Sequence, residues 1–407
     1  IRDRIGSLLE LAVLTILVAS CGGGHDVTTD PPASRPVSFF LDHNRMIAEV
    51  EFGLPDGGRR KANAWIDTGN QRLILAGELA VELGLDVSAL DQTEPGRPAR
   101  SSSTAPPISL GGLPLNVDGV SVEITRGPQV WTGVPAELNL PASVLRDLHV
   151  VFDYPARRLT VARSRQFQPR GVEVSCRVNR ETGLFQVAIN VDGEAVEFGV
   201  DTGSAGTWVS ENLTRAIRAR HPDWPWATGA VGPANFFGFD FELTGTLMRL
   251  SEISIGGVPA GESAVLGIDQ RMFDWYSTKS AAPVSGILGA NVLRGFRLEV
   301  DYPRQMTYWE PGPPVEPNDL DIVGLTLRPE ADGSYSVAGI ALQDGVPAVQ
   351  GVEAGDTLRR IDSLEVDGAT MGTVIDALRG KPGEVRLLVV QRDGEQVAIE
   401  AEVTQFP

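Results

Sequence analysis

The sequence predicts a mainly β protein: two similar lobes in tandem, then a smaller β unit carrying short helices. Three observations predict it. Of 407 residues, 45 are Gly and 28 are Pro, and they cut the chain into short alternating apolar runs, the pattern of strands joined by tight turns. Three stretches between residues 63 and 161 recur in the same order between 197 and 309, which marks a duplicated unit. After the Pro-rich junction EPGPPVEPN (310–318) the pattern changes to a third arrangement of strands and a helix.

At the N-terminus, Arg2 and Arg4 precede the apolar run LAVLTILVAS (11–20). That run is too short to span a bilayer and has the form of a signal-peptide core. Its end, Val18-Ala19-Ser20-Cys21, resembles the lipobox of bacterial lipoproteins. The resemblance implies removal of residues 1–20 and lipidation of Cys21. Because Gly22 rather than an aspartate follows, it also implies an outer-membrane anchor with the folded part facing the periplasm. Residues 21–37, polar and rich in Gly, Pro and Thr, read as a flexible tether. Cys176 is then the one remaining thiol and, within the strand-like run VEVSCRV, is expected to be a buried small apolar residue.

The repeat defines the lobes, 38–165 and 170–312. NAWIDTGNQRLIL (63–75) matches EFGVDTGSAGTWV (197–209), ISLGGLPL (108–115) matches ISIGGVPA (253–260), and LPASVLRDLHVVFDYPARRLTV (140–161) matches LGANVLRGFRLEVDYPRQMTYW (288–309). Each copy runs from a strand pair to an acid, then a helix (76–85 and 211–221), further strands, a short Val-Leu-Arg helix and a closing hairpin turned at Asp-Tyr-Pro. The second copy is longer between its first two matches and holds HPDWPWATG (221–229) there. One Asp-Thr-Gly is ordinary turn chemistry. Two, at collinear positions of a repeat, make Asp67 the partner of Asp201.

Two carboxylates brought together cannot both ionise cheaply, so such a pair shares one proton over a broad acidic range. The ionised member takes a proton from a water attacking an amide carbonyl, and the protonated member donates to the carbonyl oxygen. Thr68 and Thr202 are placed to hydrogen-bond across the pseudo-twofold axis, Gly69 and Gly203 to let backbone amides approach the acids, and Ile66 and Val200 to anchor each loop. The two repeats resemble the retropepsin-type aspartyl proteases, arranged as a covalently fused version of the retroviral dimer. The resemblance covers about residues 40–310 and rests on both Asp-Thr-Gly triplets and on Gly286-Ile287-Leu288-Gly289. It implies two closed-barrel acid-protease lobes, a catalytic Asp67–Asp201 dyad, and support from Thr68, Gly69, Thr202, Gly203, Ser204 and Gly289. The first copy departs from the pattern: Leu138-Asn139-Leu140-Pro141 puts Pro141 opposite Gly289, and Asn70 replaces Ser204, whose hydroxyl is expected to bond the neighbouring carboxylate. Flap candidates lie at 95–108 and 230–247.

Residues 319–407 resemble a PDZ domain in the order of their strands, in Gly355-Asp356 before a strand and in a short helix at 373–379. The resemblance implies a groove that takes an extended peptide or peptide C-terminus by strand addition, formed by Gly324, Leu325, Thr326 and Leu327 with the helix around Thr373 alongside.

A net charge of −18 argues against nucleic acid and anionic membrane surfaces as partners. Four scattered histidines show no metal-ligand spacing, and neither Gly-x-Ser-x-Gly nor a phosphate-cradling loop occurs. No metal and no cofactor is expected. The sequence thus reads as an aspartic-type endopeptidase whose PDZ unit recruits polypeptide, membrane-bound only through its lipid. The alternative is a non-catalytic, peptide-binding envelope scaffold that keeps the protease fold.

Overall fold

Alternation of buried and exposed side chains, together with turns at Gly and Asp/Asn, yields a mainly β protein. The structure, a computed structural model, describes residues 33–88, 90, 101–125, 133–229, 231–233, 245–315, 318–330 and 332–407. Residues 1–20, Cys21 and much of both flap candidates lie outside them. No helix among the described residues is long and apolar enough to cross a membrane.

In the first lobe, β1 (Val37–Asp42), β2 (Arg45–Gly53) and β3 (Arg59–Asp67) form an antiparallel meander. Beyond it lie β4 (Leu73–Ala76), β5 (Ser121–Thr125) and β6 (Leu138–Pro141), and β6 runs parallel to β3 with Ile66 opposite Leu140. The lobe ends in the hairpin of β7 (Leu148–Asp153) and β8 (Arg158–Arg163).

After β9 (Val172–Ser175) the second lobe repeats this plan. It comprises β10 (Phe185–Val191), β11 (Glu194–Val200), β12 (Thr207–Ser210), β13 (Ala227–Gly229), β14 (Gly232–Pro233), β15 (Gly245–Ile255), β16 (Val258–Ile268) and β17 (Gly286–Leu288), closing with β18 (Phe296–Asp301) and β19 (Met306–Pro311). Here the barrel closes, because β10 pairs with both β11 and β15. The first-lobe counterpart of β15 is split into Ser101–Thr104 and Ile108–Leu110. Pro106 and Pro107 fall in the gap, and without N–H groups they cannot continue a ladder.

A single antiparallel sheet in the order β9-β19-β18-β7-β8-β1 joins the lobes. His149, in β7 as a strand residue, faces β18 inside this sheet. Its Nε2 lies 2.9 Å from Glu299 Oε2 and its Nδ1 3.7 Å from Asp301 Oδ2, all three residues being fully buried. Arg297 pairs with Glu299 as well, and Ser164 Oγ donates to Asp301 at 2.9 Å. One apolar core spans both lobes, from Phe39 to Trp309. Cys176 is buried within it, and burial pushes its thiol up to about 12.

The C-terminal unit stacks β20 (Leu325–Pro329), β21 (Tyr335–Ile340), β23 (Thr357–Ile361), β24 (Val385–Arg392) and β25 (Glu395–Glu402) into one sheet, with the helix Met371–Leu378 packed on it. The expected open groove is filled. Gly324, Leu325, Thr326 and Leu327 are all buried, and β14 from the second lobe runs parallel to β20 with Gly232 opposite Thr326 and Pro233 opposite Leu327. The chain supplies its own added strand. A second bridge joins Thr228 of β13 to Leu342 of β22 (Leu342–Gln343).

Candidate active site

Each acid sits where a strand, increasingly buried along its length, runs out beside a parallel neighbour. Asp67 ends β3 opposite Pro141, and Asp201 follows β11, its N–H donating to Leu288 O at 3.0 Å. Two threonines lock the tips together. Thr68 Oγ1 donates to Val200 O and Thr202 Oγ1 to Ile66 O, both at 2.8 Å, while each hydroxyl accepts from the other threonine's N–H, at 3.0 and 3.3 Å. All four bonds cross between lobes, and both threonines are fully buried.

The glycines make the close approach possible. A Cβ on Gly69 would fall 2.3 Å from Asp201 Cγ, and one on Gly203 2.5 Å from Asp67 Cγ, far inside van der Waals contact. Each lobe's glycine therefore backs onto the other lobe's acid. Gly69 N–H donates to Asp67 Oδ1 at 3.0 Å, and Gly203 and Ser204 N–H donate to Asp201 Oδ1 at 2.7 and 3.1 Å. The Ser204 hydroxyl does not bond a carboxylate, as its position in the triplet suggested. It donates to Gly206 O at 2.7 Å, so Ser204 serves the acid through its backbone. Gly289 permits another tight approach, its missing Cβ lying 2.0 Å from Gly206 O. Pro141 at the matching place keeps the local bonding: Ala142 N–H reaches Asn70 O at 2.9 Å, as Ala290 N–H reaches Ser204 O at 2.8 Å.

Asp67 and Asp201 line the same cavity, and each carboxyl acts on the other. Burial raises both above the usual carboxylate range, and the charge of Asp67 lifts Asp201 well above it. Each acid thus favours its protonated form more than a free carboxyl does, and the pair cannot hold two charges cheaply. Two tyrosine hydroxyls face the pair electrostatically, Tyr276 towards both acids and Tyr154 towards Asp201. Both are buried with no hydrogen-bond partner among the described residues, and burial keeps both phenols protonated.

The dyad opens onto a cavity of about 150 Å³. One wall is apolar: Trp208, Leu247, Val265 and Leu266. The other brings His43 and Arg45 from the β1–β2 turn together with Leu320 and Arg379 from the C-terminal unit. Asp319 ties this second wall together, accepting from Asn44 at 2.9 Å, Arg294 at 2.8 Å and Arg379 at 3.4 Å. Among the described residues no cluster of three or more His, Cys, Asp or Glu is arranged to hold a metal ion.

Sequence reasoning missed Asn139. Its Nδ2 donates to Asp67 Oδ2 at 2.6 Å, and its Oδ1 accepts from Asn70 Nδ2 at 2.8 Å. The signal was present: a lone polar residue in an apolar strand, aligned with Ile287 in the second copy, needs a buried partner. The C-terminal wall of the cavity had no such signal.

No family model matches the chain, and no curated protein matches it. Among solved structures the chain is similar to the aspartic proteinase from Irpex lacteus, at 13% identity and a TM-score of 0.39, over 69% of this chain and 97% of that one.

Proposed function

We propose that the protein is an aspartic-type endopeptidase that hydrolyses peptide bonds with a water held between Asp67 and Asp201. The buried, threonine-braced carboxyl pair is the observation that carries this reading. Asp67 takes a proton as the water oxygen bonds the scissile carbonyl carbon, and Asp201 gives its proton to the carbonyl oxygen. Transfer of the proton from Asp67 to the amide nitrogen, with return of one gem-diol hydroxyl proton to Asp201, then lets the C–N bond break to leave a carboxylic acid and an amine. The acids return to a single shared proton, so the step balances without a cofactor.

The PDZ-like order of the C-terminal unit supports a role in recruiting polypeptide, and a recruited strand would compete with Gly232–Pro233 for the edge of β20. The lipobox-like segment supports anchoring through Cys21 at the outer membrane, facing the periplasm. A second reading, a binding scaffold that keeps the protease fold, is favoured by the small cavity and its C-terminal wall. A void of about 150 Å³ is the size that holds one benzene-sized group, less than an extended peptide needs.

Incubation of an unstructured polypeptide with wild type and with Asp201→Asn, from acidic to neutral pH, decides between them. The endopeptidase reading expects cleavage by wild type that falls at least a hundredfold in the variant. Equal cleavage by both overturns it, and cleavage by neither supports the scaffold.

A further inference from the structure

The two acid tips are nearly symmetric in backbone, yet their outer oxygens meet different neighbours. Resting on the endopeptidase reading, we propose that Asn139 is the positioning residue that fixes which aspartate is the base: it makes Asp67 the proton acceptor and leaves Asp201 as the donor.

Backbone donors alone do not separate the two acids. Asp201 receives the amide N–H groups of Gly203 and Ser204, and Asp67 those of Gly69 and Asn70. More donors favour the ionised form, so the loops by themselves leave the pair balanced. Asn139 tips it by placing a third donor on Asp67 Oδ2 at 2.6 Å, where the matching second-lobe residue, Ile287, has none to offer.

The direction of that amide is fixed by its own partners. Asn139 is 1% exposed, so no water competes for it. Its carbonyl oxygen is taken by Asn70 Nδ2. Asn70 is held in turn, donating to Arg72 O at 2.7 Å and accepting from Arg72 N–H at 3.1 Å. A rotated Asn139 would set its carbonyl oxygen against the carboxylate and its NH₂ against another NH₂. The relay therefore runs one way, from the Arg72 backbone through Asn70 and Asn139 to Asp67. An N–H aimed at Oδ2 stabilises negative charge and excludes a proton from that face of the oxygen.

The other groups facing the pair do not distinguish its members this way. Tyr276 faces both acids and Tyr154 faces Asp201 as neutral phenols. His43, Arg45 and Arg379 share the cavity. Burial, aided by Arg45 and Arg379, holds His43 well below its ordinary range and therefore neutral. Arg45 is paired with Asp42 and Arg379 with Asp319 and Asp376. For catalysis, the scissile carbonyl oxygen must lie on the Asp201 side and the attacking water must lose its proton to Asp67, which fixes the direction of attack.

Carboxyl titration by ¹³C NMR of aspartate-labelled protein tests this without relying on turnover, with Asp67→Asn and Asp201→Asn assigning the two signals. In wild type, the signal lost in Asp67→Asn should titrate at the lower pH. In Asn139→Leu it should move up by about one to two pH units, from the strength of a hydrogen bond to a charged group. Asn70→Ala, which leaves Asn139 in place but unheld, should shift it the same way by less and guards against a misfolded Asn139→Leu. The acid limb of the cleavage profile should move with the titration, lowering kcat at acidic pH and leaving KM unchanged. An unmoved Asp67 signal in both variants overturns the proposal even if peptide is cleaved. A moved signal with no cleavage in wild type upholds the proton placement and removes the endopeptidase reading instead.

Discussion

The molecule has two seams, and they are built differently. Where lobe meets lobe, contacts come in pairs: Thr68 answers Thr202, Gly69 answers Gly203, and β7 lies against β18. Where the lobes meet the C-terminal unit, each contact occurs once. Asp42, at the end of β1, accepts from Thr370 Oγ1 at 2.5 Å and from Gly372 N–H at 3.2 Å at the start of the helix Met371–Leu378, while its other oxygen holds Arg45 at 2.6 Å. Asn44 reaches Asp319, and Gly232 lies along Thr326. A duplicated chain obtains a symmetric seam from one set of residues used twice. Its asymmetric seam must be specified position by position. The dyad lies on the first, yet the cavity above it is walled by the second.

The sharpest way to break the symmetric seam is through its buried charges. His149→Leu takes the imidazole from buried Glu299, which keeps Arg297 and the Arg170 N–H, and from buried Asp301, which among the described residues keeps the Ser164 hydroxyl and its own turn. Removing one partner from a buried ionic cluster costs about 3–5 kcal/mol. Denaturant unfolding should show that loss as a lower midpoint with an unchanged slope. A change below about 1 kcal/mol would mean that this cluster adds little to the strand pairing, threonine brace and shared core that hold the lobes.

At the asymmetric seam, Gly372→Ala tests the same question with a substitution whose sign is diagnostic. In a free helix, alanine is favoured over glycine by about 1 kcal/mol. Here the new Cβ would fall 2.4 Å from Asp42 Oδ1 and 2.7 Å from His43 N, so the β1–β2 turn must retreat. We expect destabilisation of about 1–3 kcal/mol, with faster amide exchange confined to residues 42–45 and the helix start. Stabilisation would show that the turn yields freely and that the C-terminal wall of the cavity is loosely held.

How far the sequence foretold each seam follows from the same difference. Asp67, Asp201, the threonine brace and both glycine approaches were legible because the repeat aligned them and each reading could be checked against its copy. The alignment also displayed Asn139 opposite Ile287, but as a departure, and departures carry no copy to interpret them. Ser204 was misjudged for a related reason: the triplet pattern says which residue is present, not which of its atoms faces the acid. The C-terminal wall was illegible. Asp42, Asp319 and Gly372 stand in no motif, and their partners lie up to 330 residues away along the chain. The filled edge of β20 depends on two residues, Gly232 and Pro233, that the sequence placed in a flap candidate and not beside the C-terminal unit.

The smallest expected effect concerns pH and separates two opposed contributions within the lobe seam. Burial raises both dyad carboxyls, Asp201 above all. For acids raised in the folded state, the folded chain binds more protons. Their stabilisation is complete below the unfolded value near 3.8 and is lost as pH rises through the folded values. Glu299 has the opposite sign. Despite burial, bonds from His149 and Arg297 hold it below 4.5, so its contribution is present above that value and is lost as pH falls. Asp201→Asn removes Asp201's share of the first contribution, the larger one, and leaves the second. The variant should therefore melt at the same temperature as wild type below about pH 4, and progressively higher than wild type as pH rises towards 7. Thermal melts across that range read the difference directly, and Glu299 cancels from it. A variant that tracks wild type at every pH would mean that the two acids do not repel in the folded protein, so that the threonine brace holds the tips together without opposition.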